Sequence, residues 1–251
     1  MNVESTILSS AAKLLAESPS GDVSTRAVCE AAGITQPVLY RLFGDKDGLL
    51  SATVDFVWDQ YLAMKRAATP SEDPLQDLER GWDSHVAFAR EHPHAYRLLF
   101  GTALSAPPEA GPEAMRLLLA NLDRLAQQGR LRLPPTDAAK LVMAANSGIA
   151  LALILRPGEY ASTSLSEMMR DLIYRSLLVE GERREGQDAS RATRTHGEGT
   201  TNTAAKTAAI TLQAGLAGQL GGIYTHGERS LFDEWLDRIS AEPSAPDTHL
   251  N

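Results

Sequence analysis

Residues 35–46, TQPVLYRLFGDK, hold the side chains whose types and order suggest chemistry, and that chemistry is recognition of a large anionic partner. Thr35 is a good N-cap, and Pro37 falls in the first turn of a helix, where its missing N–H costs nothing. Leu39 and Phe43, four apart, give that helix one narrow buried edge. Gln36, Val38, Tyr40 and Arg41 are then left facing outward, a row that makes sense if something large docks there. Gly44 supplies a left-handed stop and Asp45 can cap the next helix. Lys46 opens that next helix, where a cation opposes the helix dipole. An anion docked beside it, such as a DNA phosphate, would account for its position.

The elements that position this row lie just upstream. Ser24 can cap a short helix that turns Ala27, Val28 and Ala31 inward, and Ala32-Gly33-Ile34 makes a tight turn into residues 35–43. Two short helices joined by a glycine-containing turn of three or four residues give the geometry of a helix-turn-helix. Residues 4–17 place Leu8, Ala11, Ala12 and Leu15 at helical spacing, which predicts a third helix over the pair.

Over residues 5–55, with ILSSAAKLLAE, then STRAVCEAAGITQPVLYRLFGDKDGLL, the chain resembles the N-terminal domain of the tetracycline-repressor (TetR) family of bacterial transcription regulators. The signature is a T/S-x-x-x-LY-x-x-F-x-x-K-x-x-LL pattern. The resemblance implies that Thr35, Gln36, Val38 and Arg41 lie near base edges and that Thr25, Arg26, Tyr40 and Lys46 hold phosphates. Leu42 departs from the family, which often has His there, so no contact is carried over to that position. A shorter phrase, EHPHAYRLLFG at 91–101, resembles the ligand domain of one subgroup. The family pairs the last two helices of its body with those of a second subunit. The small-residue surface of 138–152 would suit that role, with burial inside the monomer as the alternative. The implied function is a ligand-responsive, DNA-binding transcriptional regulator. It would act as a repressor, bind a palindromic operator as a homodimer, and be released by a small, largely apolar effector, without a cofactor. The alternative, from another class, is a non-enzymatic sensing or scaffold protein that acts through protein partners.

Charge sets a limit on how DNA could be held. The 251 residues carry a net charge of -8, which argues against wholesale electrostatic binding to nucleic acid. Residues 1–50 carry Glu4, Glu17, Asp22, Glu30, Asp45 and Asp47 against Lys13, Arg26, Arg41 and Lys46. Helix N-termini, hydroxyls and Tyr40 can still bind phosphate without formal charge, so weak non-specific binding and a modest salt slope are expected. A single cysteine, Cys29, fits a reducing cytosol and a structural thiol. With no uninterrupted apolar run of membrane-spanning length and no leader at the start, the expectation is a cytoplasmic protein without a membrane partner.

Nearly every apolar stretch has helical spacing, so the fold class is all-α. An N-terminal three-helix helix-turn-helix domain (1–46) is followed by a helical effector-binding and dimerisation domain (47–180). Within the latter the spacing predicts helices over 46–67, 75–92, 94–100, 113–128, from Thr136 to about 155, and 165–179 behind a Ser164/Glu167 capping box. Residues 181–203 read as a polar linker, 204–242 as a C-terminal helical extension, and 243–251 as a disordered tail. In the extension, Thr225 and Glu228 form a capping box for a helix over 226–240 with Leu231, Phe232, Trp235, Leu236 and Ile239 on one face.

In the body, Trp58, Tyr61, Trp82, His85, Phe88, Tyr96 and Phe100 could line an apolar effector cavity, with plain core packing as the alternative for each. Asn146, polar within a small-residue helix, is a candidate for ligand hydrogen bonding or for a contact across a dimer seam. His85, His92 and His94 raise a metal site, but their spacing does not support one. No nucleophile elbow, phosphate-cradling glycine loop or H-E-x-x-H motif is present, so no catalytic residue is assigned and an enzyme is not expected.

Overall fold

The computed structural model describes residues 2–101, 104–160, 164–179, 199–216 and 225–240, with backbone only at 199–203. Of the expected linker over 181–203, residues 181–198 lie outside the described residues, as does the tail from 243, while residues 199–203 are helical and not linker. Regular structure among the described residues is α-helical, apart from one antiparallel bridge between Leu131 and Leu178.

The described chain groups into two compact units, residues 1–118 with 142–170, and residues 119–141 with 171–251. In the first, α1 (Val3–Glu17), α2 (Thr25–Ala32) and α3 (Gln36–Phe43) lead into the long α4 (Lys46–Ala67). Asn2 caps α1, and Asp45 caps α4 by accepting the Gly48 N–H at 2.8 Å. Ile7, Ala11 and Leu15 carry the buried edge of α1; Leu8 and Ala12, expected on that edge, are only half-buried. The stripe sits one residue earlier because α1 packs on both α2 and α4. On α2, Val28 and Cys29 are buried whereas Ala31, expected inward, is exposed, and Cys29 takes its place as a free, buried thiol. α5 (Pro74–Glu91) and α6 (Pro93–Phe100) complete the inner layer, with α6 packed on α1, α4 and α5.

α7 (Ala110–Gln127) starts three residues before the expected 113 because Pro112 is tolerated in a first turn. It is closed by Gly129 at φ 72°, with N–H bonds from Gly129 and Arg130 back to Ala126 and Leu125. α8 (Pro135–Leu155) also opens early, so Thr136 lies inside its first turn rather than capping it, and Pro134 O accepts the first helical N–H groups. By length and composition α8 is apolar enough to cross a membrane, contrary to the expectation from uninterrupted runs. Asn146, Ser147 and Gly148 break the run, yet the mean over the window stays high; Ala138, Ala139, Val142, Ile149 and Ala150 are buried in the protein. α9 (Ser164–Leu177) ends before 179 because Leu178 leaves the helix for the bridge to Leu131. It buries Ser166, Tyr174 and Leu177 and leaves Leu172, expected inward, 58% exposed.

In the second unit, α10 (Gly199–Leu216) and α11 (His226–Ser240) pack on one another. α10 buries Ala209 and Ile210, and its Ala214 carbonyl receives Gln127 Nε2 at 3.5 Å. The capping box at the start of α11 is formed as the sequence predicts: the Thr225 N–H donates to Glu228 at 2.8 Å, and the Glu228 N–H to Thr225 Oγ1 at 3.3 Å. Of the expected apolar face, Leu236 is buried and Phe232 half-buried, while Leu231, Trp235 and Ile239 are exposed.

Candidate functional site

The α2–α3 connection is built as a helix-turn-helix. Gly33, at φ 67° and ψ 32°, ends α2 in the left-handed conformation, and Ile34 N–H bonds the Cys29 carbonyl at 3.0 Å. α3 is anchored by Leu39, fully buried, with Phe43 and Val38 half-buried. Gln36, Tyr40 and Arg41 stand exposed, as does Leu42. Thr35 and Ser24 occupy N-cap positions as expected, but neither side chain makes the capping hydrogen bond. Both hydroxyls therefore remain available to another acceptor or donor. Tyr40 OH and Thr25 Oγ1 are 3.3 Å apart, which brings two of the expected phosphate-holding groups together across the two helices. Arg26, another of them, is turned to Glu30 at 2.9 Å on its own helix, with both side chains exposed.

The junction between α3 and α4 is tighter than a helix stop. Gly44, at φ 76° and ψ -66°, is not a left-handed helical residue; Asp45 N–H bonds the Phe43 carbonyl at 3.0 Å, closing a three-residue γ-turn. Gly48 was not singled out from sequence, yet a Cβ there would overlap the Phe43 carbonyl oxygen. Its signal was a glycine in a first helical turn, where a better helix former is ordinarily found. Together these glycines let α4 start directly beneath α3.

Lys46 opens α4 as expected, but its nearest anion belongs to the chain: Nζ lies 2.6 Å from Asp22 Oδ1. The chain thus supplies an anion beside Lys46, and a docking phosphate would have to compete with it. The Lys46 hydrogen bond, and then its charge, holds the Asp22 carboxyl below its ordinary range. The same α1–α2 loop receives α6. Arg97 Nη2 donates to the Ser20 carbonyl at 2.5 Å, and a Cβ on Gly21, at φ 72°, would overlap Arg97 and crowd His94 Nδ1.

Inside the same unit, six of the eight expected effector-site residues form one aromatic cluster around Trp58. Its ring centroid lies 4.4 Å from Phe88, 5.5 Å from Tyr61, 5.7 Å from His85 and 5.8 Å from Tyr96 and from Phe100. His85 Nε2 and Tyr96 OH are hydrogen-bonded at 2.7 Å. Burial, then the nearby Lys65 charge, lowers the His85 pKa to about 3, so the ring is neutral. Burial likewise pushes the Tyr61 phenol up to about 12. Trp82 and Asn146 form a separate contact: Asn146 Nδ2 donates to the Trp82 carbonyl at 3.4 Å, and Trp82 Nε1 to Ser166 Oγ at 3.0 Å. His92 faces Phe88 at 4.7 Å and His94 faces Gly21, so the three histidines turn to different partners.

Lys65 was missed from sequence, although it continues the Trp58, Tyr61 spacing by one turn. Its Nζ donates to Ser84 Oγ at 2.7 Å and lies 5.3 Å from the Tyr61 ring centroid. Burial, and then repulsion by Arg80, lowers its pKa to about 8.

Comparison with known proteins agrees with this architecture. Residues 7–53 match the family model described as bacterial regulatory proteins, tetR family. Residues 78–220 match the tetracyclin repressor-like C-terminal domain. That second match takes in α10, which the sequence reading placed in an extension, and stops before α11. The HTH-type transcriptional regulatory protein RaaS of Mycobacterium tuberculosis is 42% identical over 52 residues, 21% of this chain and 24% of that protein. The nucleoid occlusion factor SlmA of a Marinomonas species is 25% identical over 104 residues, 41% of this chain and 53% of that protein. The chain thus spans about a quarter and about half of these two curated relatives. The crystal structure of a TetR-family transcriptional regulator from Pectobacterium atrosepticum superposes with a TM-score of 0.56 at 26% identity, covering 70% of this chain and 94% of that one. With more than half of its length inside the C-terminal family model and a built helix-turn-helix ahead of it, this chain belongs to the TetR family of DNA-binding transcriptional regulators.

Proposed function

We propose that the protein is a cytoplasmic, non-enzymatic repressor that binds a palindromic operator as a homodimer and is released by a small, largely apolar effector. The observation that carries this reading is the exposed face of α3, where Gln36, Tyr40 and Arg41 surround a single buried anchor, Leu39. Gln36 is suited to bidentate pairing with adenine, Arg41 to guanine, and Val38 to a thymine methyl. Thr35 would lie with them near the base edges, and Thr25, Arg26, Tyr40 and Lys46 line the approach and would hold the backbone. In this division of labour residues 1–46 read DNA, 47–180 bind effector and partner subunit, α10 completes that domain, and α11 is accessory.

A second copy is favoured by exposed apolar side chains on both helices that end the body. Leu141 and Leu155 on α8 and Met168 and Leu172 on α9 are 44–58% exposed. Such side chains gain by being covered. The two recognition helices would then enter successive major grooves about 34 Å apart. Entry of an effector at the Trp58 cluster would move α4 and α6 together, and with α6 the loop that Arg97 grips. The recognition helices would change separation, favouring the unbound state.

In vitro selection from a random duplex library tests the reading. A palindromic consensus supports it. No enrichment at low salt, with folded dimeric protein, favours the second reading, a fold kept for protein partners. That alternative draws on the acidic 1–50 segment and the exposed Leu231, Trp235 and Ile239 of α11.

A further inference from the structure

Trp58 is the largest side chain at the centre of the aromatic cluster, and its polar atom is unaccounted for. The residue is fully buried, and its indole N–H has no hydrogen-bond acceptor among the described residues. A buried donor left without an acceptor is costly, and native proteins keep few of them. Its five ring neighbours supply faces and edges but no free acceptor directed at it; the Tyr96 hydroxyl and His85 are engaged with each other. No carboxylate is among them, His85 carries no charge, and the nearby Lys65 ammonium is already engaged by Ser84 Oγ and the Gly81 carbonyl.

One wall of the cluster differs from the rest. Phe100 is half-buried, whereas Trp58, Tyr61, His85, Phe88 and Tyr96 are all buried. It is the last residue of α6, its ring lies 4.8 Å from Tyr96, and the helix ends at Gly101 directly after it. A planar ring that displaced Phe100 would inherit its contacts with Trp58 and Tyr96, and a substituent on that ring could reach the indole edge.

We infer that the effector is an uncharged, planar carbonyl compound that replaces the Phe100 ring in the cluster and accepts the Trp58 indole N–H through its carbonyl oxygen. This rests on the effector reading above and names the ligand class for it. Displacing Phe100 moves the end of α6, whose Arg97, one turn earlier, holds the Ser20 carbonyl, which gives the ligand a mechanical route to the DNA-reading half.

The test uses the full chain and three probes of one size: acetophenone, its alkene counterpart α-methylstyrene, and benzoate. Ligand-observed NMR titrations give the three affinities. Acetophenone is expected to bind wild-type protein about fivefold more tightly than α-methylstyrene, the ratio one neutral hydrogen bond supplies, and more tightly than benzoate. Trp58→Phe, checked for folding by circular dichroism, should erase the ketone preference while keeping alkene binding. Phe100→Ala should bind both uncharged probes more tightly and keep the preference. Equal binding of ketone and alkene to wild type and to Phe100→Ala would overturn the role of Trp58 while leaving an effector site in place. Tightest binding of benzoate would overturn the uncharged class. No binding of any probe, even to Phe100→Ala, would remove the effector site at this cluster and the inference with it.

Discussion

The Lys46 ammonium lies 2.6 Å from the Asp22 carboxylate, which ties the first residue of α4 to the loop between α1 and α2. Both side chains are largely exposed, so the pair adds little to stability. Its consequence is for binding, because a cation engaged by its own chain must exchange that partner for a phosphate. Asp22→Asn is therefore expected to raise DNA affinity at low salt and to steepen the salt dependence by up to about one counterion. Fluorescence anisotropy across a salt series measures both. Weaker binding by this variant would mean that Asp22 positions Lys46 rather than competes for it.

The three glycines around α3 should differ in cost, in an order set by their surroundings. Gly33 and Gly44 have positive φ but open space around a Cβ, so alanine there is expected to cost about 1–2 kcal/mol. At Gly48 a Cβ meets the Phe43 carbonyl, and the α3–α4 junction must shift. Gly48→Ala should be the most destabilising in urea titrations and should weaken DNA binding beyond its effect on stability.

His85 gives the protein a pH dependence with a defined sign. In the unfolded chain the ring takes up a proton near pH 6.5, whereas burial keeps it neutral in the fold down to about 3. Between these values the unfolded state binds more protons, so stability falls as the pH is lowered from 6.5. The full slope is about 1.4 kcal/mol per pH unit for one such group. His85→Gln keeps a hydrogen-bonding group for Tyr96 without the titration, so its melting temperature should fall less steeply from pH 6.5 to 4. Parallel profiles for the two proteins would contradict the assignment.

α11 offers a contrast between neighbouring residues. Leu236 is 6% exposed and Trp235 53% exposed. Leu236→Ala is expected to cost about 2–3 kcal/mol in urea unfolding, and Trp235→Ala less than about 0.5 kcal/mol. Neither should alter DNA affinity if α11 is an accessory to the body.

Much of this was legible in the chain, for identifiable reasons. The α3 row, the Gly33 turn, the Asp45 cap and the Thr225/Glu228 box are local devices in which three to five adjacent residues satisfy one another, and sequence displays them directly. Ile7 in place of Leu8, and Cys29 in place of Ala31, went unread because the packing of α1 and α2 on their neighbours, not helical period, chooses between adjacent stripes. The Asp22 partner of Lys46 is 24 residues away, and the Arg97 contact with Ser20 is 77 away. Neither leaves a pattern in a single sequence. The ring cluster was legible as a set of aromatic residues, but which rings meet was not: Trp82 is as buried as Trp58, yet its indole bonds Ser166.

If α3 and its flanks hold DNA, the most direct measurement is the affinity of Tyr40→Ala combined with Lys46→Ala for the duplex selected by the wild-type protein. Tyr40 and Lys46 are both substantially exposed, so folding should be preserved, as a melting curve would verify. DNA recognition by α3 and its flanks requires affinity to fall at least about tenfold, with a shallower salt dependence, since two backbone anchors are lost. Unchanged affinity and an unchanged salt slope would contradict it.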